Sequence, residues 1–271
     1  MTGSHGPLPI AAVRRLAGVS ITVILPAYNE AARLNPALDE LWGWLDGHVA
    51  ELGDVHVLVV DDGSTDGTAD VVRARPEARA TPDAPARLRV LTVPHQGKGA
   101  AVRAGMLAAE GDVLLFADAD MATPPDQIPL LLAALEDADV ALGSRIQADG
   151  SDMRASQPAF RRVLGKAFHL FASLWVVGPV QDTQCGFKAF TRTVARDLFS
   201  MQRITSIVFD VELIYLARRR GYRLEIVPIR WEDRRGSRMR ARPALALRVA
   251  WDLLRIPFLH RRVTRVRPAG S

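Results

Sequence analysis

Two acidic clusters are the first residues in this chain whose spacing could do chemistry. One is the run Asp61-Asp62-Gly63-Ser64-Thr65-Asp66-Gly67-Thr68, and the other is Asp118-Ala119-Asp120. An isolated Asp-x-Asp is a weak signal, because turns favour aspartate for its side-chain hydrogen bonds to the backbone. Here both clusters directly follow apolar stretches, so each sits where a strand ends. Asp118 and Asp120 would leave one sheet edge together, around a hard cation with oxygen ligands, Mg²⁺ or Mn²⁺, of the kind usually shared with substrate phosphates. No His/Cys cluster competes for a metal. Between the two clusters lies His95-Gln96-Gly97-Lys98-Gly99-Ala100-Ala101-Val102-Arg103. Gly97 and Gly99 allow close backbone approach, and Lys98 places a cation at a helix start, which makes a plausible anion site. The spacing is not that of a Walker loop, and no Ser or Thr follows the lysine. Gly-x-Gly-x-x-Gly is missing after the first apolar run, which argues against a dinucleotide-dependent dehydrogenase.

The elements that must position these groups are legible as short β-rich runs at 21–25, 55–60, 88–93, 113–116 and 140–142. Helical patterns lie between them. Leu34, Leu38, Leu41 and Leu45 share a face, residues 99–110 are Ala-rich, and Ile128, Leu131, Leu132 and Leu135 mark another amphipathic helix. Strand and helix alternate, and the strands are apolar almost throughout. That pattern predicts an α/β fold with a central, mostly parallel sheet flanked by helices. Ligands of such sheets bind beyond the carboxyl ends of the strands, where both acidic clusters fall.

After about residue 145 the rhythm changes. Ser156, Gln157 and Pro158 would open a helix with Phe160, Val163, Leu164, Ala167, Phe168, Phe171, Leu174 and Trp175 on one broad stripe. It is either a helix packed on the core or one lying in a bilayer interface with its cations among headgroups. In the tail, Leu247, Trp251 and Leu254 align, Arg248 and Arg255 are offset from them, and Pro257 is expected to interrupt the pattern. These C-terminal amphipathic helices point to a membrane surface.

With 271 residues, the chain can bury a large core. Its 48% hydrophobic and 24% charged residues are ordinary globular proportions that argue against disorder. The single cysteine, Cys185, rules out an intramolecular disulfide and suits a reducing compartment. Neither a transmembrane run nor an apolar signal-peptide core is expected, and residues 1–19 read as an extension. Charge is informative by place. Residues 214–271 carry 16 arginines, no lysine and 4 acids, so the strongly basic tail contrasts with an acidic remainder. The chain has only three lysines, Lys98, Lys166 and Lys188. Arginine richness has a bland source in genomic base composition and a functional one in phosphate or headgroup contacts, the latter favoured for the tail. A nucleic-acid module is not expected, because the basic charge is confined to the tail and no stacking-aromatic motif is present.

The longer set of motifs resembles a known family. Pro26-Ala27-Tyr28-Asn29-Glu30, Asp61-Asp62-Gly63-Ser64, Gly97-Lys98-Gly99 and Asp118-Ala119-Asp120 stand in the order seen in family-2 inverting glycosyltransferases, whose fold is the GT-A nucleotide-sugar fold. Gly143-Ser144-Arg145, the run from Gln181 to Lys188, Phe209-Asp210-Val211-Glu212-Leu213, and Trp231-Glu232 with Gly236-Ser237-Arg238 resemble the dolichyl-phosphate β-glucosyltransferase branch, a relative of the dolichyl-phosphate mannose synthases. The resemblance covers residues 20 to about 240 as one glycosyltransferase domain, with an acceptor-side segment at about 145–200 and a basic tail at 241–271.

The resemblance implies roles. Pro26, Tyr28, Glu30 and Asp62 would hold the nucleoside, Asp62 at the uracil and Glu30 near the ribose, with Val60 touching the base. Lys98 and Ala119 join this donor set. Asp118 and Asp120 would hold the metal on the diphosphate, and Arg145 would contact the donor. Arg234 or Arg235, with Arg238, would close over the diphosphate. The Asp182 carboxylate would face the sugar or its acceptor, as a positioning and electrostatic residue rather than a base. Arg154, Arg161 and Arg162 are candidates for the acceptor phosphate.

The reaction implied is metal-dependent transfer of glucose from UDP-glucose to a polyprenyl phosphate, on the cytoplasmic face of a membrane to which the protein attaches peripherally. Two related readings use GDP-mannose as donor or a soluble acceptor. Ala122 stands where the mannose synthases carry Gln, and Arg238 stands where Lys is usual in both branches. A nucleotide-sugar pyrophosphorylase shares the layout but would want a Gly-rich, Arg-containing loop where this chain has Pro26–Glu30. Cys185 reads as packing, and His95 and His169 as structural or solvated.

Overall fold

Short runs of Val, Ile and Leu without a polar face suit strands covered on both sides. The computed structural model, which describes residues 18–82, 85–153, 168, 172–178, 180, 182–232, 234 and 243–266, places five of them as expected. They are β1 (Ile21–Ala27), β2 (Val55–Asp61), β3 (Leu88–Thr92), β4 (Val113–Ala117) and β5 (Val140–Ser144). Two further strands, β6 (Phe187–Thr191) and β7 (Leu224–Pro228), complete a seven-stranded sheet in the order β3-β2-β1-β4-β6-β5-β7. Strand β6 runs antiparallel to both of its neighbours, and every other pairing is parallel.

Alternation along the strands divides the core into two layers. Val23 and Leu25 of β1 join one cluster with Leu34, Leu38 and Leu41 of α1 (Ala31–Asp46). A single helical turn, α2 (Val49–Leu52), and a short helix, α3 (Thr68–Arg73), follow β1 and β2 on the way round the sheet. Ile24, between Val23 and Leu25, faces the opposite cluster with Ala101, Val102 and Met106 of α4 (Lys98–Ala108). Ile128, Leu131 and Leu132 of α5 (Ile128–Ala134) lie in the first layer. Helices α6 (Arg192–Met201), α7 (Phe209–Arg220) and α8 (Pro243–Leu259) contribute to the second.

This topology gathers the chemistry on one rim. Strands β1, β2, β4, β5 and β7 all end there, and β6 begins there because Ala117 at the end of β4 pairs with Phe187. The segments after β1, β2, β4 and β5 and before β6 therefore emerge side by side.

Two expectations need comment. Pro257 does not interrupt the tail helix, which continues through it to Leu259. A proline in the last turn removes one hydrogen bond and leaves few residues beyond it to misdirect. The helix expected near 156–175 lies mostly outside the described residues. Within it, Phe168 and Ala172 are helical, and Ser173–Val177 forms a π-helical turn.

Helix α4 sits so close to the sheet that a Cβ at Gly105 would lie 2.6 Å from Ile24 Cγ2 and 2.7 Å from Val60 Cγ2. A valine at 105 would gain about 0.5 kcal/mol of helix propensity, against about 2–3 kcal/mol of overpacking. Gly105→Val is expected to lower the urea midpoint by that net loss with an unchanged slope. An unshifted midpoint would mean that α4 does not bear on the sheet in this way.

Candidate active site

The segments after β1 and β2 are tied into one floor. The amide of Asn29, with φ +54°, donates to Ser64 Oγ (2.8 Å), and its own Oδ1 accepts from Thr65 N (2.9 Å). Glu30 N donates to Thr68 Oγ1 (2.9 Å) and Ala31 N to Asp66 Oδ2 (3.1 Å). Much of the Asp61–Thr68 run is thus spent on holding the Tyr28–Glu30 segment in place. Asp61 is buried, accepting from Ser64 N (3.1 Å).

Tyr28 is 41% exposed, and its ring stacks on His95 with centroids 4.0 Å apart and planes 17° apart. His95 Nδ1 lies 2.8 Å from Asp62 Oδ2. Asp62 also accepts from Gln96 N (2.9 Å) and Gly97 N (3.0 Å), so its buried carboxylate fixes the 95–97 loop. The sequence reading of His95 as structural or solvated missed this stacked pair. Its signal was its position just before Gln96-Gly97-Lys98. Glu30 is held by Arg33 at 2.7 and 2.6 Å. Val60 is a correction to the expected donor set, because its side chain is fully buried beneath α4 and offers no surface at the rim.

At the end of β4, the Lys98 ammonium bonds to Asp118 Oδ1. Burial works against the lysine charge, but Asp118 and Asp210 outweigh it and raise its pKa. Asp120 is different. Its Oδ1 accepts from Ala122 N (3.1 Å), and among the described residues no cation lies within ion-pair distance of it. Burial, then the Asp118 charge, raises its pKa above the ordinary 3.8. Gly186, at the head of β6, faces this pair: a Cβ there would stand 2.5 Å from both Asp118 carboxylate oxygens. Ala119, between the two aspartates, is buried.

Beneath lies a second pair that carried no assigned role in the sequence. Lys188 Nζ bonds to Asp210 Oδ1 (2.7 Å) and to the Cys185 carbonyl (2.5 Å), with both partners buried. Burial holds Asp210 above its ordinary value despite Lys188 and Lys98. The signal was rarity, since two of the chain's three lysines converge here.

Across the rim, Asp182 accepts from Arg145 three times, from N (2.8 Å), Nε (2.8 Å) and Nη2 (2.5 Å). Asp182 is left-handed at φ +49°, and the Arg145 guanidinium lies 5.6 Å from the Trp231 ring centroid. Burial opposes the Arg145 charge, and Asp182 more than restores it. The Asp182 carboxylate is thus engaged with Arg145. Arg234 is paired with Glu40 of α1 at 2.6 and 2.8 Å. Pro26 is half-buried at the end of β1. Arg154, Arg161, Arg162, Arg235 and Arg238, and also His169, lie outside the described residues. Burial, then the Asp182 charge, pushes the Cys185 thiol up to about 12, which suits a packing residue and not a nucleophile.

Asp118 and Asp120 fit a hard divalent cation. Both offer oxygen donors only, Asp120 has no cation of its own among the described residues, and Gly186 leaves the approach clear. No group of three or more His, Cys, Asp or Glu able to hold a metal occurs among the described residues, so the remaining positions would fall to ligand oxygens and water.

Comparison with known proteins agrees with this geometry. The glycosyl transferase family 2 model matches residues 22–199. The dolichyl-phosphate β-glucosyltransferase of Drosophila melanogaster is 40% identical over 231 residues, which is 82% of this chain and 69% of that protein. The enzyme of the same name from Homo sapiens is 33% identical over 229 residues, covering 81% and 69%. Among solved structures, glucosyl-3-phosphoglycerate synthase from Mycobacterium tuberculosis, in complex with Mn²⁺, UDP-glucose and phosphoglyceric acid, superposes with a TM-score of 0.61 at 23% identity, over 98% of this chain and 88% of that one. This likeness establishes the GT-A fold.

A carboxylate whose pKa is raised on folding costs stability wherever it is ionised, and the cost fades as pH falls through the raised pKa toward 3.8. Asp120→Asn, in chelator, is therefore expected to melt above the wild type at pH 7, with the gap closing in acid. A variant that melts below the wild type at pH 7 would refute the like-charge reading of this pair.

Proposed function

The chain belongs to glycosyl transferase family 2, within the dolichyl-phosphate β-glucosyltransferase branch, and from that premise we propose that it transfers glucose from UDP-glucose to a polyprenyl phosphate of the dolichyl type, inverting the anomeric carbon. The observation that carries this is the rim itself. A stacked aromatic pair, two adjacent aspartates and a fixed arginine stand together at the strand ends of a GT-A fold.

Breaking a sugar–diphosphate bond builds negative charge on the leaving diphosphate while the anomeric carbon becomes cationic. Catalysis then lies mainly in cations placed beforehand where that charge develops. Mg²⁺ or Mn²⁺ held by Asp118 and Asp120 would act as a Lewis acid on the diphosphate. Tyr28 and His95 form a platform for the uracil face, with Pro26, Glu30 and Asp62 around it. The Asp62 carboxylate keeps lone pairs beyond its three donors, and its first task is holding the loop. Arg145, locked by Asp182, presents its charge toward the donor at little further entropy cost. Arg234 or Arg235, with Arg238, would supply cations over the diphosphate; Arg234 is paired with Glu40. That pair would have to open for Arg234 to do so.

The acceptor phosphate is an anion near neutral pH and is itself the nucleophile, so no general base is required. Asp182 acts accordingly as a positioning residue. Arg154, Arg161 and Arg162 are proposed to hold the acceptor phosphate. A lipid-borne phosphate acceptor implies work at a membrane surface, which we place at the cytoplasmic face; no helix among the described residues is long and apolar enough to cross a membrane.

The test is transfer of radiolabelled sugar into a butanol-extractable lipid, with polyprenyl phosphate and Mg²⁺ present. Label is expected from UDP-glucose, with loss of about 10²–10³-fold in Asp120→Ala and in Arg145→Ala. Label from GDP-mannose instead would overturn the donor. No lipid label from either donor, despite donor binding, would overturn the lipid acceptor.

A further inference from the structure

A helix packed against a protein on one side should be polar on the other. Helix α8 is not. Its inward stripe of Asp252, Leu253 and Ile256, with His260 just beyond the helix, is buried. Turned outward are Leu247 (74% exposed), Trp251 (63%) and Phe258 (67%), joined by Leu254 and Leu259. The exposed Trp175, from the π-helical turn, extends this face, donating its Nε1 to the Leu254 carbonyl at 3.4 Å.

The charges round this face have one sign. Arg248, Arg261, Arg262 and Arg265 are exposed. The lone acidic residue from 243 to 266, Asp252, is buried, bonded to Ser206 Oγ (2.6 Å) and paired with Arg255 (2.7 Å). A second copy of the chain would bring the same cations against these. An anionic bilayer offers negative charge at its surface and hydrocarbon beneath, with an interface that favours Trp and Arg.

We propose that the outward face of α8, together with Trp175, docks the protein flat on a bilayer containing anionic lipids. Trp251 and Phe258 enter the headgroup boundary, and the arginines sit on lipid phosphates. This deepens the functional reading above and rests on it for its purpose, which is to bring a lipid-borne phosphate to the site. One segment joins the two places. Residues 202–208 lie between α8 and the Lys98 loop: Ser206 bonds Asp252 on one side, while the Thr205 carbonyl accepts from Gly99 N (3.0 Å) on the other. The buried His260–Glu212 pair (2.6 Å) fastens the end of the tail to the same segment, since Glu212 accepts from Arg203 N and Ile204 N.

The experiment is co-sedimentation of the full chain with phosphatidylcholine vesicles, with and without about one third phosphatidylglycerol. No donor or polyprenyl phosphate is present, and inorganic phosphate serves as competitor. The wild type should sediment with the anionic vesicles, less with neutral ones, and less as salt rises. Millimolar phosphate should not release it. The double variant Trp251→Ser/Phe258→Ser should bind at least about tenfold more weakly, while keeping its melting temperature and its transfer to detergent-dispersed polyprenyl phosphate. Wild type that stays in the supernatant, or a double variant that binds as tightly as wild type, would overturn the proposal. So would release by phosphate, or a wild-type dimer that the double substitution dissolves. Vesicle binding without glucose transfer in detergent would support the docking surface and overturn only the functional reading.

Discussion

The constraint on which the rest of this structure depends is the crowding of carboxylates on one rim of the sheet. Asp62 follows β2, Asp118 and Asp120 follow β4, and Asp182 precedes β6, with Asp210 behind them at the start of α7. Each unshielded pair costs folding energy in a partly buried setting. The fold answers each charge locally. His95 and two backbone amides face Asp62, Lys98 faces Asp118, Arg145 faces Asp182, and Lys188 faces Asp210. Asp120 alone among them has only an amide partner within the described residues. Two neighbouring carboxylates left one cation short fit a divalent ion, the role proposed for them above. The choice of cation follows the same logic. In a chain whose basic residues are almost all arginine, the cations that face Asp118 and Asp210 are lysines, the half-buried Lys98 and the buried Lys188, compact point charges on flexible stems.

The architecture supplies what this arrangement needs. The antiparallel strand β6 puts Lys188 between β4 and β5, opposite Phe116 and Leu142, so its ammonium reaches Asp210 at the start of α7. Such a buried pair is weak support for stability; it joins the start of α7 to the middle of β6. The same strand brings Gly186 against Asp118, where any side chain would collide with the carboxylate. All three non-glycine residues with left-handed backbone among the described residues, Asn29, Met121 and Asp182, lie in the rim segments. Sparse backbone conformations concentrated in this way are what a preorganised site holds in place.

Much of this was legible in the residues. Strands β1, β2, β4 and β5 show as apolar runs because both sheet faces are covered, while the edge strand β3 shows by its Val and Leu residues although mostly uncovered, and the acidic clusters follow β2 and β4 directly. Strands β6 and β7 were not anticipated. β6 carries a lysine whose charge breaks the apolar pattern, and the signal that it belongs in the core is its partner 22 residues away. β7 is an edge strand with a half-exposed pattern and no run of buried side chains. Side-chain orientation was the harder part. The family resemblance placed Val60 beside the nucleoside, but its side chain is buried against Gly105 of α4. Asp182 was expected to face a substrate, yet a left-handed backbone directs it onto Arg145. Pairings across the sheet, such as Tyr28 with His95, depend on register, which no local pattern encodes.

In the proposed function, Asp118 and Asp120 hold the donor diphosphate through a divalent ion while the aromatic pair and the Asp62 loop receive the nucleoside. Calorimetric titration of UDP into the protein, once with Mn²⁺ and once in chelator, puts that division of labour to the test. Saturable binding is expected with the metal and its loss without it, because bare carboxylates on this rim repel a diphosphate. Equal affinity in chelator would contradict it and leave the two aspartates with a purely structural role.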